Sequence, residues 1–226
     1  MGKNKMFTQQ PVREAKNKDQ WSPYEDNCGT CVVIKGEDFV VIASDTRMSR
    51  DYMILTRNDS KIYPLTSKCV FTGSGMRADI KELTDQIKAH IKNYKYENGK
   101  EMSTESVAQV LSNTLYSHRF FPYYSFSLLA GINSKGKAVT YNYDAVGSFE
   151  ERKYSCSGSG EELAYPLLDS LLKDRTEPLG EQEAINIARD VMTSACERDI
   201  HTGDNVEIVI LNSNGIRKEV HFMASD

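Results

Sequence analysis

Two apolar runs decide what this chain can fold into. Thr30–Gly36 reads TCVVIKG and Phe39–Asp45 reads FVVIASD, with Gly36-Glu37-Asp38 between the apolar stretches. Short, β-branched runs separated by turn residues spell a hairpin. They are near-continuous rather than strictly alternating, which predicts a sheet covered on both faces. The rest of the chain must therefore supply a layer for each side.

It does so in a regular order. Short strands are expected around KIYPL and KCVFTGS. From Met76 to about Tyr94, Met76, Ile80, Leu83, Ile87, Ile91 and Tyr94 recur every three or four residues, an amphipathic helix. Ser103 to about His118 repeats the pattern through Val107, Val110, Leu111 and Leu115. Strands return at SFSLLAGIN and AVTYNYD, joined by Ser134-Lys135-Gly136, and near RKYSC. A third helix opens in SGSGEELAYPLLDSLL, where Ser159 and Glu162 have the spacing of a capping box and Pro166 falls early enough to be tolerated. A fourth spans roughly Glu181 to Glu197 through Ile185, Ala188, Met192 and Ala195, and VEIVILN and IRKEVHF close the chain as a hairpin across Ser213-Asn214-Gly215. Strands, helix pair, strands, helix pair, strands predicts an α+β fold. Its form is a four-layer αββα sandwich, two antiparallel sheets between pairs of helices.

No linker or internal repeat divides the 226 residues, so one domain is expected over residues 29–226, after an extended polar tail at 1–28. Trp21-Ser22-Pro23-Tyr24 is the one stretch of that tail with rings to dock on a surface. The first twenty residues hold no apolar core of a secretory signal, and Met6 breaks the myristoylation pattern begun by Met-Gly. With 28 basic and 32 acidic residues the net charge is −4, which suggests neither nucleic acid nor an anionic membrane as partner. No run of apolar residues is long enough to span a bilayer. Cys28, Cys31, Cys69, Cys156 and Cys196 are an odd number, which with no signal peptide points to a reducing compartment and free thiols.

The chemistry question centres on Cys28-Gly29-Thr30-Cys31. A redox CxxC wants its first thiol at a helix N-terminus, where amides stabilise thiolate. Here the motif runs into a strand, and side chains three apart on a strand point to opposite faces. A structural zinc needs four ligands, but there is no second CxxC, and His90, His118, His201 and His221 are scattered. Cys31, Cys69, Cys156 and Cys196 then read as small buried hydrophobes.

A third reading takes in more of the chain. Gly-Thr opening a strand, ASDTR on the next strand and Lys61 after a short connection occur together with GSG at Gly158–Gly160 and ERDIHTGD at Glu197–Asp204. As a set they resemble the β-type subunits of the 20S proteasome, members of the N-terminal-nucleophile hydrolases. RFFPYY at Arg119–Tyr124 and YDAVGSFE at Tyr143–Glu150 narrow the likeness to one branch of them. In active members a cut between Gly and Thr frees a threonine whose hydroxyl attacks, with its own amine and a lysine moving protons. By that resemblance Asp45 and Lys61 match the family's Asp and Lys. Arg47 matches its Arg, Ser159 its Ser in the Gly-Ser-Gly segment, Asp199 its later Asp, and Thr202 stands where a Ser is usual.

The departure is at the nucleophile. Counted back from Asp45 without a gap, the reacting position falls on Gly29, and Thr30 comes one residue late. One residue along a strand moves a side chain to the other face, so the Thr30 hydroxyl is expected to point away from Lys61. A bulge could rescue the register. Cys28 is one residue early, has the same facing problem and would need a cut after Asn27. The matching residues then read as structural: Asp45 and Arg47 as a local ion pair or hydrogen bond, Asp199 as orienting the turn after the fourth helix, and Lys61 as a vestigial base or half of a buried pair. The resemblance thus implies a non-catalytic subunit in stacked seven-membered β rings capped by α rings. Regulatory caps would act on it only through the complex. It further implies no cofactor or metal and a place in cytoplasm and nucleus. RFFPYY suits an interface or, equally, a buried loop core. The alternatives are an active peptidase subunit processed to expose Thr30, and a stand-alone dithiol oxidoreductase.

Overall fold

The structure, a computed structural model, describes residues 22–223; most of the polar tail, Trp21 included, lies outside the described residues. The first apolar runs form β1 (Thr30–Lys35) and β2 (Phe39–Asp45), paired antiparallel with Val33 opposite Ile42. They sit inside a five-stranded sheet completed by β10 (Tyr154–Gly158), β11 (Asn205–Asn212) and β12 (Gly215–Phe222), in the order β10-β1-β2-β11-β12. The second sheet has the order β5-β6-β7-β8-β9, from β5 (Ile62–Thr66), β6 (Cys69–Gly75), β7 (Ser125–Ile132), β8 (Ala138–Tyr143) and β9 (Phe149–Glu151). Every pairing in both sheets is antiparallel.

The double cover expected of β1 and β2 resolves by alternation. Cys31, Val33, Val40 and Ile42 face the second sheet and pack with Val70, Leu128, Ala130 and Leu211. Val32, Ile34, Val41 and Ala43 face outward onto Ala164 and Leu168 of α3 (Glu161–Leu172) and Ile185, Ala188, Val191 and Met192 of α4 (Glu181–Cys196). On the far side α1 (Arg77–Asn98) and α2 (Thr104–Ser117) cover Phe71 and Leu129 with Ile80, Leu83, Ile87, Val107, Leu111 and Leu115. Each fully buried aliphatic of this kind contributes about 1.5–3 kcal/mol. The result is the expected αββα sandwich.

Two local readings change. Ser159 is no helix cap: Gly160 holds the N-cap place of α3 without a side-chain bond, and the Ser159 hydroxyl donates instead to Asp199 Oδ2 at 2.5 Å. A two-stranded ribbon, β3 (Met48–Arg50) and β4 (Met53–Thr56), follows β2 where no strands were expected. Its strands are short, a bulge interrupts them, and Tyr52, Met53, Ile54 and Leu55 point to solvent, so no buried face marks them in the sequence. The capping that does occur on α2 comes from Ser103, whose hydroxyl accepts from the Ser106 amide at 3.2 Å.

Candidate functional site

The site lies where β1 begins, at one end of the first sheet. Register puts Thr30 opposite Gly158 and Cys31 opposite Ser44, so Gly29 enters between β10 and the end of β2. Gly29 has φ +89, and a Cβ built on it would lie 2.5 Å from Lys61 Cε and 2.8 Å from both Asp45 Oδ1 and Lys61 Nζ. Position 29 therefore faces the Asp45–Lys61 pair, as the count along the strand predicted. It has neither the backbone conformation nor the room for a side chain. Gly158 is constrained from the opposite strand: at φ +115, its Cβ would fall 1.9 Å from the Gly29 carbonyl oxygen, so only glycine allows β10 this close.

Lys61 is fully buried, and its three ammonium protons have three acceptors: Arg47 O at 2.7 Å, Asp45 O at 3.0 Å and Asp45 Oδ1 at 3.0 Å. Asp45, also fully buried, takes further bonds from the Thr30 amide at 2.8 Å, the Arg47 amide at 3.1 Å and the Gly203 amide at 3.4 Å. Burial pushes the Asp45 carboxyl up, while Lys61 and the Thr30 amide pull it down. Of the two roles left open for Lys61, the geometry supplies the buried pair.

Thr30 turns its hydroxyl elsewhere. Oγ1 accepts from the Gly160 amide at 2.9 Å and lies 2.7 Å from Thr202 Oγ1. Thr202 gives its own proton to Asp199 Oδ2 at 2.5 Å, so in the Thr30–Thr202 contact Thr30 is the donor. Asp199 Oδ2 also receives Ser159, and its Oδ1 receives the His201 amide at 3.0 Å, which orients the turn after α4. Ser159, Asp199, Thr202 and Thr30 thus form one chain of side-chain hydrogen bonds, which meets the Gly29–Asp45–Lys61 group through the Thr30 and Ser159 amides, bonded to Asp45 Oδ1 and Gly29 O. The only base in the first group, Asp199, already accepts from Ser159, Thr202 and the His201 amide.

Arg47 lies beyond the end of β2. Its amide bonds Asp45, but its guanidinium pairs with Asp204 Oδ2 at 2.9 Å and donates to Ile200 O at 2.8 Å. Of the two roles expected of it against Asp45, the hydrogen bond forms through the backbone, and the ion pair goes to Asp204. Arg57 holds the other Asp204 oxygen at 2.5 Å. Burial works against the Asp204 charge, yet Arg47 and Arg57 hold its carboxyl below the usual carboxylate range. Sequence reasoning missed Asp204 as a partner, although it closes the quoted ERDIHTGD segment. It also missed Asn27, whose Nδ2 donates to Ser49 O in β3 at 3.3 Å and whose Oδ1 accepts from the Arg77 amide at 2.9 Å where α1 begins.

The thiols do not meet as a redox pair. Cys31 is buried in the central core, accepting from Thr72 at 3.1 Å and lying 3.6 Å from Ser44 Oγ. Cys28 faces the cleft with φ +56, and burial together with Asp26 pushes its thiol up to about 12. A thiol that titrates there is neutral at pH 7 and a poor nucleophile.

The comparisons with known proteins bear on the whole of this frame. A family model described as proteasome subunit matches residues 25–211. The proteasome subunit beta type-1 of Petunia hybrida is 49% identical over 214 residues, covering 90% of this chain and 96% of the relative. The protein of that name from Dictyostelium discoideum is 44% identical, over 93% of this chain and 91% of its own. The proteasome subunit beta type-6 of Saccharomyces cerevisiae is 37% identical, with 92% of each chain covered. The matched span contains Gly29, Asp45, Lys61, Ser159 and Asp199 alike, and the chain belongs to the proteasome subunit family.

Proposed function

We propose that this chain is the non-catalytic sixth β subunit, the β type-1 position, of a 20S core particle, a wall and spacer of the proteolytic chamber rather than one of its peptidases. The observation that carries the reading is Gly29: the position facing Lys61 and Asp45 has no hydroxyl and no space for one. The hydroxyl of the next residue, Thr30, is bonded on both sides by Gly160 and Thr202. A base without a nucleophile beside it does no covalent catalysis, and Lys61 has all three ammonium protons held by acceptors. The family membership supports assembly with other proteasome subunits. The stacked seven-membered rings, the α rings, indirect contact with regulatory caps and the setting in cytoplasm and nucleus belong to this proposal. Peptide cleavage would then belong to neighbouring subunits.

The test uses the assembled particle. A covalent probe for N-terminal threonine should label other chains and leave this one untouched. Label on Thr30 would make it the nucleophile and overturn the proposal.

A further inference from the structure

β1 has two ends. Gly29 lies at one; at the other the chain turns through Gly36, Glu37 and Asp38 into β2. A cavity of about 330 Å³ opens at this second end, between that turn, the start of β10 and the connection from α3 to α4. Its floor is apolar: Ile34 and Leu172 are buried, and Leu179 packs partly against the same core. Small-ligand pockets begin at roughly 300 Å³, so the space suits a small molecule and not a long chain.

Each wall is held in place by the fold. The Lys35 amide donates to Lys153 O at 2.9 Å and the Ala138 amide to Glu37 O at 3.0 Å, which fixes the backbone on two sides. Arg175 shapes the third. Its Nε donates to Glu177 O at 3.1 Å and its Nη2 to Pro178 O at 3.5 Å, while Nη1 and Nη2 grip the Glu183 carboxylate at 2.7 and 2.8 Å. Such two-point pairing of a guanidinium with a carboxylate fixes geometry as well as charge.

The charges at the rim divide into two sets. Lys35 and Arg175 are matched, by Glu151 at 2.6 Å and by Glu183 at 2.7 Å. Glu37, Lys153 and Glu177 are exposed and line the same cavity, yet no hydrogen bond or ion pair joins their side chains to any described residue. Glu177 lies close enough to Arg175 for their charges to interact, so Glu37 is the acid with the least claim on it. A ligand with one negative charge would suit Lys153 and be opposed by Glu37; one with a single positive charge would meet the reverse. A molecule carrying both charges on an apolar body matches the whole rim and the floor.

We propose that this cavity binds short free peptides of dipeptide size with apolar side chains. The terminal carboxylate would sit on Lys153, the terminal ammonium on Glu37, and a side chain on Ile34, Leu172 and Leu179. Capture of free chain ends by placed charges is an established mode of peptide recognition. Peptides with two free ends are what proteolysis releases, so the site would sense product at the far end of β1 from Gly29. Binding there is independent of whether position 29 is catalytic.

The test uses assembled particles whose reactive threonines are blocked, so that no probe is cut. The probe is photoleucyl-leucine, a dipeptide with both ends free and a diazirine in its first side chain. Light should attach it saturably to this chain within 34–37 or 172–179, and unlabelled leucyl-leucine should compete. The same dipeptide with its amine acetylated and its carboxyl amidated should not compete, a comparison that needs no variant. Lys153→Met and Glu37→Gln each remove one exposed charge, and native electrophoresis checks that both assemble. Each should lower the labelling about tenfold, as expected for the loss of one charged hydrogen bond. Undiminished labelling in either variant overturns the proposal. So does equal competition by the blocked dipeptide, which would leave an apolar patch only, and so does the absence of label from both segments. None of these outcomes touches the non-catalytic reading, which falls instead to label on Thr30.

Discussion

Two regions of the molecule carry opposite kinds of surplus. At the start of β1 every group capable of chemistry is matched. Lys61 has three acceptors for three protons, and Thr30, Thr202 and Ser159 pass their hydroxyl protons along to Asp199. Around Tyr52 and around Phe120 the surplus is apolar. Tyr52 is 96% exposed, Phe120 97% and Phe121 67%, with Met53 and Leu55 beside Tyr52. Of the two uses foreseen for RFFPYY, Tyr123 takes the buried one and Phe120 and Phe121 stay available for contact. A catalytic site keeps a reactive group unsatisfied and accessible, while an assembly part leaves apolar surface uncovered. This chain spends the polar groups of that site on its own architecture and leaves rings uncovered around Tyr52 and Phe120.

The comparison breaks most visibly at Lys61. Lys61→Met strands a buried Asp45 carboxylate and should cost about 3–5 kcal/mol, measured by denaturant unfolding. Adding Asp45→Asn should recover much of the loss, because the pair would go together. A Lys61→Met chain of wild-type stability would mean that the pair is not closed as described.

Gly29→Thr comes next. The new side chain meets Lys61 and Asp45 at a φ of +89, so it should destabilise by about 1–3 kcal/mol and yield no peptidase activity. A stable, active Gly29→Thr chain would show that only the hydroxyl was lacking. The third change is Asp204→Asn, which weakens two charged hydrogen bonds, from Arg47 and Arg57, at about 1.5–3 kcal/mol for such contacts. Its pH dependence has a definite sign. The carboxyl's folded pKa lies below its unfolded one, so its contribution is present above the unfolded value and fades as pH falls through the folded value. The gap between Asn and wild type should therefore be full at pH 7 and shrink below about pH 4. A gap that is flat across that range would contradict the pairing. The smallest effect on stability belongs to the other region. Phe120→Ser should change unfolding by less than about 0.5 kcal/mol, since the ring leaves no core, yet should lower the yield of assembled particle seen by native electrophoresis. Full assembly with Phe120→Ser would remove Phe120 from the interface.

Much of this was legible along the chain. The αββα order follows from short, near-continuous β-branched runs and period-3.6 helical stripes, and the facing of Gly29 follows from counting back along β1 and β2. What was not legible depends on contacts far apart in sequence or on surfaces without a buried face. Ser159 looks like a cap because Glu162 is near, but its partner Asp199 is forty positions on. Arg47 looks like a partner of Asp45 because they are two apart, yet Asp204 reaches it across 157 positions. Asn27 sits in a polar stretch that nothing distinguishes until β3 and the start of α1 close around it. The β3–β4 ribbon buries too little for any period to appear.

The most direct test of the sealed site is the intact mass of this chain from purified particles. A mature chain that still contains Cys28-Gly29 joined to Thr30 is the expected result, whatever trimming occurs further upstream. A chain whose mass begins at Thr30 would show that the bond is cut and that the site is not the closed one its hydrogen bonds describe.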